Sequence, residues 1–264
     1  MLSTIKKILR PYLINYVGKK IPLTWELKDP SAWICKNWEG EFLNPTICPD
    51  SVLIEKTAIA TNEQGSQPLW QGYDESKKGN AQRKPDTERT QPFMGNAFCH
   101  LVQSKKPKVV VEFGTAFGIS GMYFLSGIKK NNQGRLLTFE PNEIWANIAD
   151  ENLKKIGPQY LLIKGTFEDN IDRVLGPEEK IDIAFIDAIH TSEFVLPQME
   201  IVLKKAQSGS IILFDDINLS GRHLSLLTVR CERCDCRHLL NDLRRIELSA
   251  RSLCRSRNFF HWWT

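Results

Sequence analysis

Five acidic side chains in this sequence each follow a short apolar run, where a carboxylate can accept hydrogen bonds from the hydroxyl groups of a ligand. They are Glu112, Glu140, Asp187, Asp215 and Asp216. The apolar runs have the length and composition of buried strands in a parallel sheet. Because ligands of such sheets bind at the carboxyl ends of the strands, we expect all five carboxylates at one edge.

The turn after the first of these runs carries the strongest ligand signal. Three consecutive valines, Val109 to Val111, predict a strand covered on both faces, and Gly114 and Gly118 follow it. Two glycines four residues apart let the chain turn sharply and approach a ligand without a Cβ in the way. The spacing differs from the G-x-G-x-x-G pattern that holds a pyrophosphate, which favours a nucleoside ligand without phosphates. We expect the carboxylate of Glu112 to face that ligand.

Strands and helices are predicted to alternate through the middle of the chain. The predicted strands are 108–113, 135–139, 160–164, 181–186 and 210–214, and the predicted helices are 95–105, 119–128, 143–156 and 192–205. This alternation predicts an α/β fold with a Rossmann-like, doubly wound and mostly parallel sheet. We therefore divide the chain into an N-terminal extension (1–90), a ligand-binding core (91–218) and a C-terminal tail (219–264).

The run E-F-G-T-A-F-G-I-S-G, residues 112–121, resembles the first motif of the class I S-adenosylmethionine-dependent methyltransferases. Segments 135–140, 160–168, 181–190 and 210–217 match the pattern of the same family in the same order, so the resemblance covers about residues 92–218. It implies S-adenosylmethionine as cofactor, bound by the following residues: Glu112, Gly114, Thr115, Gly118, Ser120, Glu140, Gly165, Phe167, Glu168 and Asp187.

Three of these residues have a specific expected role in holding the methyl donor. A carboxylate at Glu140 can accept both ribose hydroxyls, and the acid at this position holds the ribose in the family that the sequence resembles. The stretch 165–168 resembles the family's adenine-lining segment, with Phe167 as a packing surface and Glu168 as an acceptor. The alternative for Glu140 is an exposed acid before the turn at Pro141.

The ends of the fourth and fifth predicted strands resemble the cation-dependent O-methyltransferases. The resemblance implies Asp187, Asp215 and Asp216 as ligands of a divalent cation, and oxygen ligands favour Mg²⁺, Mn²⁺ or Ca²⁺ over zinc. Asp187 and His190 are the candidate catalytic residues, with the imidazole as the base. The sequence departs from the best-known pattern, since Asp216 replaces an asparagine and His190 a lysine. Alternatively, these residues only cap a helix and form a turn.

The C-terminal tail differs in composition from the rest of the chain. Residues 219–264 contain nine arginines, no lysine and four acidic residues, whereas residues 1–218 contain 21 lysines and five arginines. Translation in a shifted or fused reading frame would explain this change. The alternatives are a zinc module built on Cys231 and Cys234, and an unusual native tail. Because the excess positive charge lies in the tail, the core gives no electrostatic argument for a nucleic-acid partner.

The N-terminal extension contains four tryptophans and no catalytic cluster. The family resemblance implies that it forms a lid over the acceptor. Near its start, Leu2, Ile5, Ile8 and Leu9 could form the apolar face of a docking helix. No apolar stretch reaches the length of a membrane span, and the first ten residues lack an uninterrupted apolar segment, so we expect a cytoplasmic protein.

These observations together predict an S-adenosylmethionine-dependent methyltransferase that modifies a hydroxyl of a small molecule. The alternatives are a nucleotide-linked oxidoreductase, against which the missing G-x-G-x-x-G pattern argues, and an inactive donor-binding relic with a truncated fold. The expected partners are the small-molecule acceptor and, in a homodimer, a second copy of the chain. No nucleic acid and no membrane span are expected.

Overall fold

The structure, a computed structural model, describes residues 45–72, 81–189 and 192–215 and the backbone of 225–228. The helices in these ranges are α1 Ser51–Glu63, α2 Pro92–Lys105, α3 Ile119–Asn131, α4 Glu143–Leu153, α5 Phe167–Val174 and α6 Ser192–Lys205. The main sheet contains β1 Val109–Phe113, β2 Arg135–Phe139, β3 Tyr160–Ile163, β4 Ile181–Ile186, β5 Ala206–Phe214 and β6 Ser225–Thr228. A separate short ladder pairs Gln67–Pro68 with Gln82–Arg83, and a 3₁₀ helix covers Pro85–Thr87.

The strand order of the main sheet is β3-β2-β1-β4-β5-β6. The pairs from β3 to β5 are parallel, and β6 runs antiparallel to β5. The chain passes from β1 to β2 and β3 on one side and returns to β4 on the other side of β1, which places the switch point between β1 and β4. The predicted Rossmann-like fold is therefore confirmed, and ligands of this fold bind at that switch point.

Two apolar clusters cover the two faces of the sheet. One contains the rings of Phe98 and Phe124, which stack at 4.7 Å, together with Phe185. The other contains Phe113, Phe139 and Phe167. All five residues of β1 are buried, because helices cover both of its faces as the run of valines predicted.

One strand is longer than predicted. β5 begins at Ala206, where a strand from residue 210 was expected. The register with β4 shifts between the pairs Ile181–Ala206 and Ile183–Ile211, and Gly209 has a φ of +90°. A bulge of this kind adds residues to one strand, so the polar stretch before Ser210 joins the sheet without the apolar pattern of a strand.

The described part of the N-terminal extension packs on the core through polar contacts. The Tyr123 hydroxyl on α3 donates to Glu55 Oε1 of α1 at 2.8 Å. Near the end of α1, the Thr61 Oγ1 accepts a hydrogen bond from Asn152 Nδ2 of α4 at 3.0 Å. Helix α1 is therefore fixed to two helices of the core. None of the helices in the described ranges combines the length and the apolar character needed to cross a membrane.

Strand β6 lies within the tail of unusual composition, and its backbone pairs with Ile211–Phe214. The tail cysteines lie outside the described residues, as do Trp25, Trp33, Trp38 and the predicted docking face at Leu2, Ile5, Ile8 and Leu9.

Candidate active site

The glycine turn after β1 has the sharp geometry that its sequence predicts. Gly114, Ala116 and Gly118 have φ angles of +86°, +46° and +82°. The backbone N–H groups of Gly114 and Thr115 both donate to the Phe139 carbonyl, at 3.1 and 3.2 Å, which ties the turn to the end of β2. A Cβ at position 114 would lie 2.1 Å from the Asp187 carbonyl oxygen. Only glycine therefore allows the ends of β1 and β4 to approach this closely.

A small cleft opens beside this turn, at the switch point of the sheet. Its lining combines core residues with one segment of the N-terminal extension: Gly114, Thr115, Ala116, Phe117, Ile119, Ser120 and Asp187 from the core, and Glu88, Arg89 and Thr90 from the extension. Four of the residues predicted from the sequence, Gly114, Thr115, Ser120 and Asp187, thus meet in one cleft. No sequence pattern indicated Glu88 to Thr90, because only the tertiary fold brings them to the turn.

Glu140 is a buried side chain that is hydrogen-bonded to the glycine turn. Its Oε2 accepts the Ala116 N–H and its Oε1 accepts the Asn142 N–H, both at 2.8 Å. Burial raises the pKa of this carboxyl to about 7, although the two backbone donors favour its ionised form. Glu140 is 4% exposed and is absent from the lining of the cleft. The structure therefore connects it to the turn by direct hydrogen bonds but leaves it beneath the surface.

Glu112 does not face the cleft, contrary to the expectation from sequence. It is 0% exposed, and its Oε2 accepts the Thr138 hydroxyl at 2.6 Å. A Cβ at Gly121 would lie 3.0 Å from the same oxygen, so the first turn of α3 covers the carboxyl group. Burial raises its pKa to about 7, and hydrogen bonds from Ser120 and Thr138 oppose that shift. Oε1 is buried without a hydrogen-bond partner.

The segment predicted to line an adenine is also more buried than expected. Phe167 is 2% exposed, with its ring centroid 3.8 Å from that of Phe113 and 5.4 Å from that of Phe139, so it forms part of the core. Glu168 Oε1 accepts a hydrogen bond from Gln198 Nε2 at 2.8 Å, which links α5 to α6. The Gly165 N–H donates to the Glu140 carbonyl. None of these three residues lines the cleft.

The acidic residues after β4 and β5 are neighbours at the same edge of the sheet. The Asp187 N–H donates to the Phe113 carbonyl at 3.0 Å, and the Asp215 N–H donates to the Ile186 carbonyl at 3.2 Å. The other two predicted residues of this group, His190 and Asp216, lie outside the described residues. Within the described ranges, no three His, Cys, Asp or Glu side chains are grouped closely enough to hold a metal ion.

Comparison with known proteins identifies the same region of the chain. Residues 111–217 match a family model described as a methyltransferase domain. A curated relative from Mycobacterium sp. (strain KMS), named "Putative O-methyltransferase", is 31% identical over 136 residues, which are 50% of this chain and 58% of the relative. The chain thus spans less than two thirds of the length of that relative.

Solved structures of methyltransferases share the fold. The O-methyltransferase from Bacillus cereus in complex with SAH superposes with a TM-score of 0.51 at 21% identity, covering 78% of this chain and 81% of that one. A SAH-bound methyltransferase from Podospora anserina gives a TM-score of 0.52 at 15% identity, covering 90% and 92% of the two chains. At these identities the comparison establishes the architecture.

Proposed function

We propose, from the premise that residues 111–217 belong to the methyltransferase-domain family, that this protein transfers a methyl group from S-adenosylmethionine to a hydroxyl of a small molecule. The observation that carries the proposal is the glycine turn at 114–118. It brings the ends of β1 and β4 and the start of α3 together around one cleft, at the position where sheets of this order bind their ligands.

The turn fits a nucleoside donor without phosphates because its two glycines let the end of β4 and helix α4 pack directly against it, which keeps the turn compact. At Gly114 a side chain would collide with the Asp187 carbonyl, and at Gly118 a Cβ would lie 3.1 Å from the Ala149 Cα. When bound, S-adenosylmethionine supplies a methyl group on a sulfonium sulfur, so the main task of the protein is alignment. Gly114, Thr115 and Ser120 are the residues that we assign to hold it.

Glu140 is the residue that we assign to the ribose. Each of its carboxylate oxygens accepts one backbone N–H and retains a second lone pair, which matches the need of two neighbouring hydroxyls. Because the carboxyl group of Glu140 is buried, the ribose can reach it only when the segment that covers it moves. The segment around Pro68 adjoins this site, since the Pro68 carbonyl oxygen accepts a hydrogen bond from Asn142 Nδ2 at 2.8 Å.

Glu88 and Arg89 place one charge of each sign beside the glycine turn. Arg89 uses Nε on Asp86 and Nη1 on Glu55, both at 2.7 Å, and has further N–H donors. The amino-acid end of the donor carries a carboxylate and an ammonium group. We assign Arg89 to the carboxylate and Glu88 to the ammonium group, and Thr90 completes the lining on that side.

The acceptor hydroxyl is assigned to the side of Asp187 and Asp215. Two neighbouring carboxylates suit a hard divalent cation such as Mg²⁺, which when bound would orient the hydroxyl and favour loss of its proton. Asp216 as a further ligand and His190 as the base stay predictions from the sequence. The division into extension, core and tail, the lid role of the extension, the cytoplasmic location, the homodimer and the lack of a nucleic-acid partner likewise stay predictions.

Calorimetric titration of the purified chain with S-adenosylmethionine and with S-adenosylhomocysteine tests the proposal. We expect saturable binding of both and no binding of NADH. Titration with and without Mg²⁺ then tests whether the cation affects binding. A chain that unfolds cooperatively, and is thus folded, but binds neither compound would overturn the proposal.

A matched pair of variants tests the ribose assignment. In Glu140→Gln, the amide group cannot accept both backbone N–H groups, and we expect affinity for S-adenosylhomocysteine to fall by at least about tenfold. Glu143→Gln makes the same change three residues away, on a side chain that is 77% exposed, and should leave the affinity unchanged. Equal affinities in the two variants would contradict the assignment of Glu140.

A further inference from the structure

Two cysteines from different parts of the fold lie side by side in the core, away from the cleft. Cys48 is in the loop before α1 and is 1% exposed, and Cys99 is on α2 and is 0% exposed. Both belong to the apolar cluster that contains Phe98, Phe124 and Phe185, and both are free thiols.

Hydrogen bonding holds the loop that contains Cys48 against helix α2. The Cys48 N–H donates to Asn96 Oδ1 at 2.7 Å, and Asn96 precedes Cys99 by three residues on α2. Residues three apart share a face of a helix, so this bond places the loop directly beside Cys99. Each of the two thiols also shifts the pKa of the other, as expected for neighbouring thiol groups.

Polar side chains surround the thiol pair. The Cys48 thiol donates to Ser126 Oγ at 3.1 Å, and the Ser126 hydroxyl donates to Asp50 Oδ2 at 2.8 Å. On the other side, Gln103 Nε2 donates to Cys99 Sγ at 3.1 Å. Both sulfur atoms therefore have defined hydrogen-bond partners in the folded protein.

The environment divides the two thiols into a more acidic and a less acidic one. The contact with Cys99 lowers the pKa of the Cys48 thiol, against the effect of burial. The same contact together with burial raises the pKa of the Cys99 thiol. A thiolate is the nucleophile in cysteine oxidation, so Cys48 is the sulfur that reacts first.

We propose that Cys48 and Cys99 form a reversible disulfide when the folded protein meets hydrogen peroxide. The Cys48 thiolate attacks one peroxide oxygen, an S–O bond forms, the O–O bond breaks and hydroxide leaves. The Cys99 sulfur then attacks the sulfur of this sulfenic acid, an S–S bond forms and the S–O bond breaks. The departing hydroxide leaves as water with the Cys99 proton. Two thiols are oxidised by two electrons in total, and one peroxide is reduced to two waters.

The position of Cys48 allows the bond to close. Residues 45–48 have no helix or strand hydrogen bonding, and the neighbouring Ile47 side chain is 77% exposed. The loop can therefore shift to bring the two sulfur atoms to the disulfide bond length of about 2 Å, and it can admit a molecule as small as peroxide. The resulting bond would join the loop before α1, in the N-terminal extension, covalently to α2.

Peptide mapping of the full-length wild-type protein tests the proposal directly. Cleavage by trypsin at Lys36, Lys56, Arg89 and Lys105 gives peptides 37–56 and 90–105, which each contain one cysteine. After peroxide treatment of the folded protein, a quench with catalase and alkylation, we expect these two peptides as a linked pair with the loss of two hydrogens. Dithiothreitol should separate them.

Two comparisons distinguish a disulfide that depends on the folded structure from random oxidation of the cysteines. In guanidinium chloride the linked pair should fall to the level of random pairing among the seven cysteines. The oxidised wild type should also unfold at a temperature higher by roughly 5 °C or more, because the bond closes a long loop, and Cys99→Ala should show no such rise.

Three results would overturn the proposal. They are recovery of both peptides as alkylated free thiols, conversion of Cys48 to a sulfinic acid without the link, and a link from Cys48 to another cysteine. The mapping needs no methyl donor, so its outcome is independent of the proposed methyltransferase activity.

Discussion

Glu112 and Glu140 are buried carboxyl groups that fix the glycine turn from two sides. Glu140 bonds to the turn itself through the Ala116 N–H. Glu112 acts through hydroxyl groups, since Thr138 donates to it and Thr115 contacts the Thr138 hydroxyl at 2.5 Å. The hydroxyl of Thr138, between the apolar residues Leu137 and Phe139 of β2, was the available sequence signal for this network. These side chains position the backbone of the glycine turn.

Glu112 should give the stability of the protein a specific pH dependence. Its pKa is about 7 in the folded protein and about 4.3 in an unfolded chain, so the folded state retains a proton between these values. The stabilisation is complete below about pH 4 and is lost as the pH rises through 7. We expect the free energy of unfolding to fall between pH 5 and 8, and Glu112→Gln to reduce that fall by roughly 3 kcal/mol.

Denaturant unfolding at a series of pH values checks this prediction. Glu143→Gln is the control, because it removes an exposed carboxylate of the same type. A pH profile in Glu112→Gln that matches the wild type would show that the carboxyl group is already ionised in the folded protein.

At the level of elements, the turn between β1 and α3 depends on Gly114 for two separate reasons. Its φ of +86° disfavours a side chain, and a Cβ would collide with the Asp187 backbone. Gly65 has a similar φ of +81° but no atom within 4 Å of its ideal Cβ position. The two glycines therefore separate the cost of the backbone conformation from the cost of the collision.

Replacement of each glycine by alanine should give clearly different results. We expect Gly65→Ala to lower the free energy of unfolding by about 1–2 kcal/mol, which is the cost of a left-handed conformation. Gly114→Ala should lower it by more than about 3 kcal/mol and abolish binding of S-adenosylhomocysteine, since the ends of β1 and β4 must separate. Similar losses in both variants, measured by denaturant unfolding, would mean that the contact with Asp187 relaxes freely.

The order of the elements could be predicted because it depends on local signals. Apolar runs of strand length and the glycines at 114 and 118 identify β1 and the start of α3 without any tertiary information. The environment of Glu112 and Phe167 could not be predicted in this way. The first turn of α3 covers Glu112, and rings from β1 and β2 enclose Phe167. What buries a side chain depends on how the elements pack against one another, which local sequence patterns do not specify.

Arg89 links two elements of the extension to the cleft. Its side chain is 15% exposed and pairs with Glu55 of α1 and with Asp86 of the 3₁₀ helix. Arg135 also pairs with an acid, Glu179, but these two side chains, at 36% and 43%, are more exposed than Arg89 and Glu55, at 15% and 28%. An ion pair near the surface contributes little, whereas hydrogen bonds between partly buried charged groups contribute more.

Arg89→Gln should therefore cost more than Arg135→Gln. We expect a loss of about 1–3 kcal/mol in the free energy of unfolding for Arg89→Gln and less than about 1 kcal/mol for Arg135→Gln. Arg89→Gln should also weaken binding of S-adenosylhomocysteine, which calorimetry measures, while Arg135→Gln should not. Equal effects on binding would remove Arg89 from the assigned site.

For the whole molecule, the important feature is that two separate parts of the chain line one cleft. The core contributes the glycine turn, and the extension contributes Glu88 to Thr90, held in place by α1 and its contacts to Tyr123 and Asn152. A ligand in this cleft touches both parts. Its binding free energy is then available only while the extension is docked on the core.

Ligand binding and docking of the extension are consequently linked equilibria. Backbone amides of α1 that exchange with deuterium when the extension detaches should exchange up to about 100-fold more slowly with S-adenosylhomocysteine at 100 times its dissociation constant. Amides of β3, at an edge of the sheet two strands away from β1, provide the internal reference. In this sense the ligand itself acts as a reversible cross-link, and its concentration sets how often the extension leaves the core.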